Sequence, residues 1–350
     1  MGYYFIIFVL STYFLTAQGF VNMSRWEGTE DSCGRTMYND SLKLERGGKY
    51  KAEVGQFPWA VRLGVIQAST KEMYFYCSGS LISRSFVLSA AHCGSHSKIA
   101  RLGSNNIDEG IDCNVSICAL PPQDIKIKDH IYSDHCRLSN KNDILIVALA
   151  QPAVLNDFVQ PICLPKNLLS VHEKKDRMIV PGWGAAYSGF GNIFMNEVTS
   201  DLMYIESFLV DDKRCNNVYD YKLDNHQYCV RYPQVVKDPC VVDSGGAMIY
   251  YKKVKGLNRA FLVGIASHDL LKCKINKTVP IVYTNVAKIS DWIPRIIPIW
   301  IESQKGKGKK MSIKNVWEGN EIDIGEAREE EMVETANKEE LQKDKETEKE

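Results

Sequence analysis

Three short segments of the chain supply the residue types that a serine needs to cleave a peptide bond. The reaction requires a nucleophilic hydroxyl, a base that takes its proton and an acid that orients the base. His92 ends the run Ala-Ala-His, Asp143 begins Asp-Ile-Leu, and Ser244 lies in Asp-Ser-Gly-Gly. They follow one another in the order His, Asp, Ser, about 50 and about 100 residues apart. We therefore predict that these three residues form a catalytic triad.

Strands have to position these residues, because the chain between about 47 and 300 alternates short apolar runs with Gly, Pro, Asn and Asp turns. This alternation is typical of an all-β sandwich or barrel. A helix is predicted near Val286–Ile293, and Pro294 and Pro298 would end it because proline cannot continue a helix. Examples of the apolar runs are Phe57–Val65, Ser80–Leu88, Ile144–Leu149 and Phe261–Ala266.

The composition restricts the class of protein. The 43 basic and 43 acidic side chains cancel, so no overall charge favours nucleic acid or an anionic membrane as a partner. Eleven cysteines are typical of an oxidised, secreted protein and unusual in a reduced cytosol. A two-barrel enzyme can reach a length of 350 residues as a single unit.

The N-terminal sequence predicts secretion. The apolar run Phe5–Leu15 is short for a membrane span, and small residues follow at Ala17 and Gly19, where a signal peptidase would cut. We expect a cleaved signal peptide at 1–19, an extracellular protein and no membrane attachment after cleavage. A retained anchor is the open alternative, because no Lys or Arg precedes the apolar run. Glycosylation sequons, which agree with the secretory route, begin at Asn22, Asn39, Asn114 and Asn276.

The rest of the chain divides into three parts. Residues 20–46 form a short polar pro-segment, and residues 47–300 form the expected enzyme domain. Residues 301–350 are dense in Glu and Lys and contain few aromatic side chains. Such a segment cannot bury enough apolar surface to order itself, so we predict a disordered charged tail.

The three segments and their surroundings resemble the chymotrypsin/trypsin family of serine proteases, in the style of arthropod extracellular proteases. The resemblance runs from about Cys33 to Trp292. It implies an all-β fold of two packed six-stranded antiparallel barrels, with the active site in the cleft between them. The further matching segments are Gly55–Trp59, Pro161–Pro165, Gly182–Gly184 and Val282–Thr284.

The resemblance assigns a role to each candidate residue. His92 would be the general base, Asp143 its orienting acid and Ser244 the nucleophile, and no cofactor is implied. The oxyanion would be bound by the backbone N–H groups of Val242 and Ser244. Ser267 would support the buried carboxylate of Asp143.

The resemblance also implies five disulfides and leaves Cys136 without a partner. An odd cysteine indicates a free thiol, an intermolecular bridge or one wrongly assigned pair. His130, His135 and Cys136 are close in sequence, but no fourth ligand is evident, so we expect no metal site. The implied pairs are Cys33–Cys163, Cys77–Cys93, Cys113–Cys118, Cys215–Cys229 and Cys240–Cys273.

The activation segment is the first departure from the family pattern. Relatives are cut before an aliphatic residue, and the new ammonium group pairs with the acid before the catalytic serine, here Asp243. Matching this segment to the family pattern places Glu45 or Arg46 at the new terminus. Burying either charged side chain without a partner would cost several kcal/mol of free energy. Cleavage after Lys43, which frees Leu44, is one alternative. A permanently uncleaved state is the other.

The oxyanion position and the substrate pocket depart from the pattern as well. Val242 replaces a glycine, which restricts the backbone of the oxyanion turn. Asp238 would lie on the pocket floor, where it would pair with an Arg or Lys side chain of the substrate. Ile281 replaces a pocket-wall glycine, and His268 and Asp269 replace an aromatic-glycine pair. We expect a closed pocket, because a charge cannot attract a side chain that cannot enter.

Two functions remain in competition at this point. One is a secreted serine endopeptidase that acts on protein or peptide substrates, is made as a zymogen, and has an activating protease or an inhibitor as a further partner. The other is a catalytically impaired homologue that uses the same scaffold to bind another protein outside the cell. The complete triad favours the first function and the altered surroundings favour the second. We predict a serine endopeptidase whose efficiency the sequence leaves open.

Overall fold

The alternating middle of the chain forms the strands that its pattern predicts. The computed structural model describes residues 32–38, 49–108, 110–133, 141–165, 177–184, 186–187, 193–194, 199–219, 222–233, 242–268 and 279–305. The strands within these residues are β1 (Lys49–Lys51), β2 (Ala60–Ile66), β3 (Met73–Ser83), β4 (Phe86–Ser89), β5 (Ile99–Leu102), β6 (Gln123–Tyr132), β7 (Leu145–Leu149), β8 (Met178–Gly182), β9 (Ala186–Tyr187), β10 (Ile193–Phe194), β11 (Met203–Leu209), β12 (Gln227–Arg231), β13 (Ala247–Val254), β14 (Leu257–His268) and β15 (Ile281–Asn285).

The first barrel is a closed antiparallel sheet with the strand order β2, β3, β4, β7, β6, β5. Its apolar run Ser80–Leu88 contains the end of β3, a turn at Arg84 and most of β4, so one predicted run is two strands. Every residue of β7 is buried, as expected for a strand with both faces covered. Closure leaves the barrel without a free edge.

The second barrel contains β11, β12, β15, β14, β13 and β8, and the pairing of β8 with β11 closes the ring. Val180 lies opposite Ile205 at this closure, and β1 adds a short strand to β11 through the pair Lys49 and Ile205. The predicted fold of two six-stranded antiparallel barrels is therefore confirmed. β9 and β10 form a separate two-stranded hairpin.

The helices correct one prediction. Within the described residues the α-helices are α1 (Asp212–Asn216), α2 (Val286–Ile289) and α3 (Ile293–Lys305). The chain does not stop being helical at Pro294 and Pro298, because α3 contains both residues and continues beyond position 300. Pro294 lies in the first turn, where a missing N–H costs little.

The packing of α3 explains why Pro298 is tolerated. Five side chains form a buried stripe with helical spacing, and each contributes about 1.5–3 kcal/mol of burial energy. Together they outweigh the roughly 3 kcal/mol that an interior proline costs. None of the described helices is long and apolar enough to cross a membrane. The stripe contains Ile293, Ile296, Ile297, Trp300 and Ile301.

Four of the five implied disulfides are present in the structure. Cys33–Cys163 joins residues 130 positions apart. The other three are Cys77–Cys93, Cys113–Cys118 and Cys215–Cys229. Cys240, Cys273 and Cys136 lie outside the described residues, so the fifth pair and the odd cysteine stay predictions.

Candidate active site

The candidate base, His92, lies in a single 3₁₀ turn, Ala91–Cys93, directly after β4. The turn ends at Gly94, whose φ of 69° lies in the left-handed region that glycine adopts without strain. The disulfide Cys77–Cys93 ties the residue after His92 to β3. The first barrel therefore holds the imidazole through both the backbone turn and a covalent link.

The candidate acid, Asp143, is fully buried and binds His92 through both carboxylate oxygens. His92 Nδ1 lies 2.8 Å from Asp143 Oδ2, and the backbone N–H of His92 donates to Asp143 Oδ1 at 2.9 Å. An ionised carboxylate can only accept hydrogen bonds, so Nδ1 carries the proton of the neutral imidazole. Nε2 is then left as an acceptor, which is the tautomer a general base requires.

The second barrel adds two hydroxyl groups to Asp143. Ser267 Oγ donates to Asp143 Oδ2 at 2.5 Å, and Thr284 Oγ1 donates to the Asp143 carbonyl at 3.0 Å. Ser267 lies at a β-bulge in β14, where the pairing with β15 shifts between Ala266 and His268. A bulge redirects a side chain, and this one accompanies the turn of Ser267 toward the acid.

The candidate nucleophile, Ser244, lies in the tight turn that precedes β13. The turn closes with the Gly246 N–H donating to the Asp243 carbonyl at 2.8 Å, and the Ser78 N–H donates to the Ser244 carbonyl at the same distance. Ser78 follows Cys77, which is bonded to the neighbour of His92. Two adjacent residues of β3, Cys77 and Ser78, therefore hold the segments that carry the candidate base and the candidate nucleophile.

Gly245 is required at the next position. Its φ is +76°, and a Cβ there would collide with Ser89 Oγ and with the Ser78 carbonyl oxygen. Ser89 Oγ itself donates to the Ser78 carbonyl at 2.7 Å. This close approach brings the turn that carries Ser244 against the end of β4, three residues before His92.

Asp243 is fully buried beside Ser244 and its carboxylate faces the first barrel. Ser78 Oγ donates to its Oδ2 at 2.6 Å, and the Trp183 N–H lies 3.1 Å from each carboxylate oxygen. Sequence reasoning considered only an ammonium group as the partner of this acid. It missed Ser78 and Trp183, since nothing in the pattern of β3 distinguishes Ser78 from its neighbours.

Two of the departures from the family pattern meet in one apolar cluster. Val242 and Ile281 are both buried, and both belong to the cluster that contains Met248 and Tyr283. The hydroxyl of Tyr283 lies 2.6 Å from that of Tyr232, and burial raises the pKa of both phenols well above the usual range. Ile281 therefore occupies a packed interior rather than an open wall.

Several predicted site residues lie outside the described residues. They include Asp238 and Asp269 of the pocket, so the contact between Ile281 and Asp238 stays untested. His268 is placed by its backbone pairing with Val282 alone. The activation residues Lys43, Leu44, Glu45 and Arg46 are also outside.

One group of potential metal ligands occurs among the described residues, and it does not form a site. Cys77, His92 and Cys93 lie close together, but the two sulfur atoms are bonded to each other and thiolates are the form that binds metal. His130 of the other predicted group lies 2.9 Å from Ser97 Oγ. Its partners in that group, His135 and Cys136, are outside the described residues.

This chain is similar to several known proteins. The family model described as Trypsin matches residues 46–293. The CLIP domain-containing serine protease HP8 of Bombyx mori is 32% identical over 263 residues, covering 70% of this chain and 68% of that protein. Serine protease ea of Drosophila melanogaster is 32% identical over 287 residues, covering 76% and 69%. The crystal structure of the Drosophila Grass clip serine protease of the Toll pathway superimposes with a TM-score of 0.65 at 25% identity, covering 78% of this chain and 76% of that one.

Proposed function

The chain belongs to the trypsin family of serine proteases, and we propose that it is a secreted serine endopeptidase with His92, Asp143 and Ser244 as its catalytic triad. The main support for this proposal is the pair of hydrogen bonds between His92 and Asp143, close to the turn that carries Ser244. The shared anchor at Cys77 and Ser78 supports the same conclusion.

The proposed reaction begins with proton transfer from Ser244 Oγ to His92 Nε2 as the hydroxyl attacks the peptide carbonyl. The buried carboxylate of Asp143 stabilises the imidazolium that forms, and Ser267 helps to hold that carboxylate in place. His92 then returns the proton to the leaving amine, and water releases the acyl group by the reverse sequence.

The negative oxygen of the intermediate would be bound by the backbone N–H groups of Val242 and Ser244. The Ser244 side of this arrangement is supported by the hydrogen bond from Ser78 to the Ser244 carbonyl. Val242 packs in the apolar cluster with Ile281, which ties the orientation of its N–H group to the packing of that cluster. Loss of one such donor typically lowers turnover by about 10²–10³.

The proposed substrates are proteins or peptides, and the buried Ile281 disfavours a long basic side chain in the specificity pocket. The retained Asp238 would otherwise favour Arg or Lys. Secretion is supported by the apolar N-terminal run and by the four disulfides of the described residues, which persist in oxidising compartments.

The proposal is tested with the chain expressed without residues 1–19 and cleaved after Lys43. We expect a fluorophosphonate probe to label Ser244, and we expect peptide hydrolysis by the same sample. The matched variant Ser244→Ala should lose both signals while it keeps its disulfides and its unfolding midpoint. A correctly disulfide-bonded sample that is neither labelled nor active would overturn the endopeptidase proposal.

A further inference from the structure

The sequon Asn114-Val115-Ser116 is a motif that the proposed reaction does not use. In a protein that passes through the secretory route, the asparagine of such a motif can carry a bulky, polar glycan on its side-chain amide. Sequons also occur by chance, so the folded structure has to show whether the site has room for a glycan. Asn114 lies among the described residues, whereas Asn22, Asn39 and Asn276 lie outside them.

Asn114 lies in a small closed loop at the surface. The disulfide Cys113–Cys118 closes this loop, and the Asn114 N–H donates to the Ile117 carbonyl across it at 2.9 Å. Val115 is completely exposed, Ser116 is exposed and Asn114 itself is half-buried. A glycan attached at this position therefore extends into solvent and does not have to displace buried side chains.

The Asn114 side chain uses its oxygen within the loop and its nitrogen outside it. Oδ1 accepts the backbone N–H groups of Ser116 and Ile117, both at 2.8 Å, and Nδ2 lies 3.3 Å from Oε2 of the exposed Glu53. Burial raises the pKa of the nearby Tyr38 phenol, and a hydrogen bond with the Asn114 side chain opposes this shift. A glycan replaces one of the two hydrogens of Nδ2. The bonds to Oδ1 are therefore kept, and one hydrogen remains for Glu53 or Tyr38.

The base of the loop is fixed to both barrels. The Asp112 carboxylate accepts the backbone N–H groups of Asn105 and Asn106. The Asn105 carbonyl accepts the indole N–H of Trp183 at 2.7 Å, and Asn106 Nδ2 donates to Asp201 Oδ1 at 2.8 Å. Trp183 directly follows β8 and Asp201 directly precedes the segment of β11, both in the second barrel. The exposure of the loop tip is therefore a property of the fold.

The same loop exposes apolar surface that a glycan would cover. Val115 at the tip has a relative exposure of 105%, and Ile111 and Leu120, near the two ends of the loop, are also exposed. Exposed apolar side chains that lie close together favour unspecific association. Because a glycan is bulky and solubilising, its attachment beside Val115 offsets this tendency.

We propose that Asn114 is an N-linked glycosylation site of this protein. Nδ2 forms a bond to the first sugar of an oligosaccharide, the bond between that sugar and the diphosphate of a lipid carrier breaks, and Nδ2 releases one proton. The inference rests on the secretion that is part of the proposed function, because this transfer belongs to the secretory route. It does not depend on whether Ser244 cleaves peptides.

The test analyses the full chain produced in a eukaryotic cell line, separately from the medium and from the cells. Cleavage after Arg101 and Lys126 yields a peptide that contains one sequon. Enzymatic release of the glycan in heavy-oxygen water converts a glycosylated asparagine to a labelled aspartate, which mass spectrometry locates. We expect this label at position 114 in most molecules of the medium.

The outcomes separate the inference from the proposed function. Chain in the medium without the label at position 114 would overturn the inference and leave secretion standing. Labelled chain found only in the cells would support the inference and overturn secretion. Chain found only in the cells and without the label would overturn both.

Variants of the sequon separate loss of the glycan from a change in the loop. Asn114→Gln removes the acceptor together with the hydrogen bonds of its side chain. Ser116→Ala removes only the hydroxyl that the sequon requires, because Ser116 donates to Asn114 through its backbone N–H. Both variants should lose the mass of one glycan, whereas the control Ser116→Thr should keep it. An unchanged mass in Ser116→Ala would refute the site, and the cell fraction gives the same readout if a variant is not secreted.

Discussion

The two barrels contribute differently to the candidate site: the site residues of the first barrel match the family pattern, whereas two residues of the second barrel depart from it. His92 and Asp143 are joined by two hydrogen bonds, at 2.8 and 2.9 Å, and their surroundings match the family pattern. Ser244 lies two residues after Val242, which packs in an apolar cluster with Ile281, and Val242 and Ile281 both depart from that pattern. The pair proposed to transfer the proton therefore follows the family pattern, while the residues proposed to bind the oxyanion and the substrate side chain depart from it.

This comparison indicates that the residues proposed for proton transfer and the residues proposed for substrate binding can vary independently of each other. In the proposed reaction, proton transfer depends on the orientation of the His92 imidazole, which Asp143 and its hydrogen bond from Ser267 support. The proposed binding of the oxyanion and of the substrate side chain depends instead on Val242 and Ile281 in the interior of the second barrel. A change at Val242 or Ile281 would therefore lower turnover or change specificity without disturbing the tautomer of His92.

Asp143→Asn should lower kcat more than the variants described below, because Asp143 belongs to the proposed proton-transfer pair, whose surroundings match the family pattern. An amide can donate as well as accept, so it would favour the wrong imidazole tautomer and lower kcat about 10⁴-fold. The measurement is steady-state hydrolysis of a peptide that the parent enzyme cleaves. An unchanged kcat would mean that Asp143 does not set the catalytic tautomer of His92.

The replacement of Ile281 tests directly whether this side chain closes the substrate pocket. Ile281→Ala removes a fully buried side chain, which should cost about 2–5 kcal/mol of unfolding free energy and admit longer substrate side chains. We expect hydrolysis of peptides with Arg or Lys at the cleaved bond to rise relative to peptides with small apolar residues.

Val282→Ala is the matched control for that experiment. Val282 is equally buried but packs on the other face of β15, against Cys215 and Tyr219. It should lower stability without changing the preference among peptides. The same change of preference in both variants would show that Ile281 does not line the pocket.

Val242→Gly should raise turnover rather than lower it. If the branched side chain keeps one N–H group from the oxyanion, the glycine variant should gain up to about 10²–10³ in kcat. Val242→Ala separates bulk from backbone freedom, because alanine removes the branch but retains the Cβ. A glycine variant no faster than the parent would show that the valine N–H already points at the oxyanion.

Much of this site follows from the sequence because local residue types determine it. The short Ala-Ala-His and Asp-Ser-Gly-Gly runs identify the candidate residues, and Gly245 is needed because no side chain fits against Ser89. Alternating apolar runs likewise predict strands. The disulfides follow from the resemblance, since each pair depends on cysteines that the family keeps at fixed places.

Long-range packing explains what the sequence could not predict. Val61 and Leu63 face the core of the first barrel, so alternation places Arg62 outside, in water. It is buried where the rings of Phe75, on β3, and of Trp183, from the second barrel, lie against its guanidinium, and no local pattern predicts the contact with Trp183. The same limitation applies to Pro298. The rule that proline ends a helix is local, and here the buried side chains on one face of α3 outweigh it.

Ser267→Ala should have a smaller effect than the Asp143 and Val242 variants, and it measures how far the second barrel supports Asp143 of the first. The hydrogen bond from Ser267 Oγ to Asp143 Oδ2 is 2.5 Å long, and a hydrogen bond to a charged group contributes about 1.5–3 kcal/mol, or roughly 10- to 100-fold in kcat/KM. Thr284→Val removes the hydroxyl that donates to the Asp143 carbonyl at 3.0 Å, a neutral contact worth about 0.5–1.5 kcal/mol. The serine variant should therefore lose more activity than the threonine variant at similar stability. Equal losses would mean that the bulge at Ser267 maintains the packing of the barrels and does not orient the carboxylate.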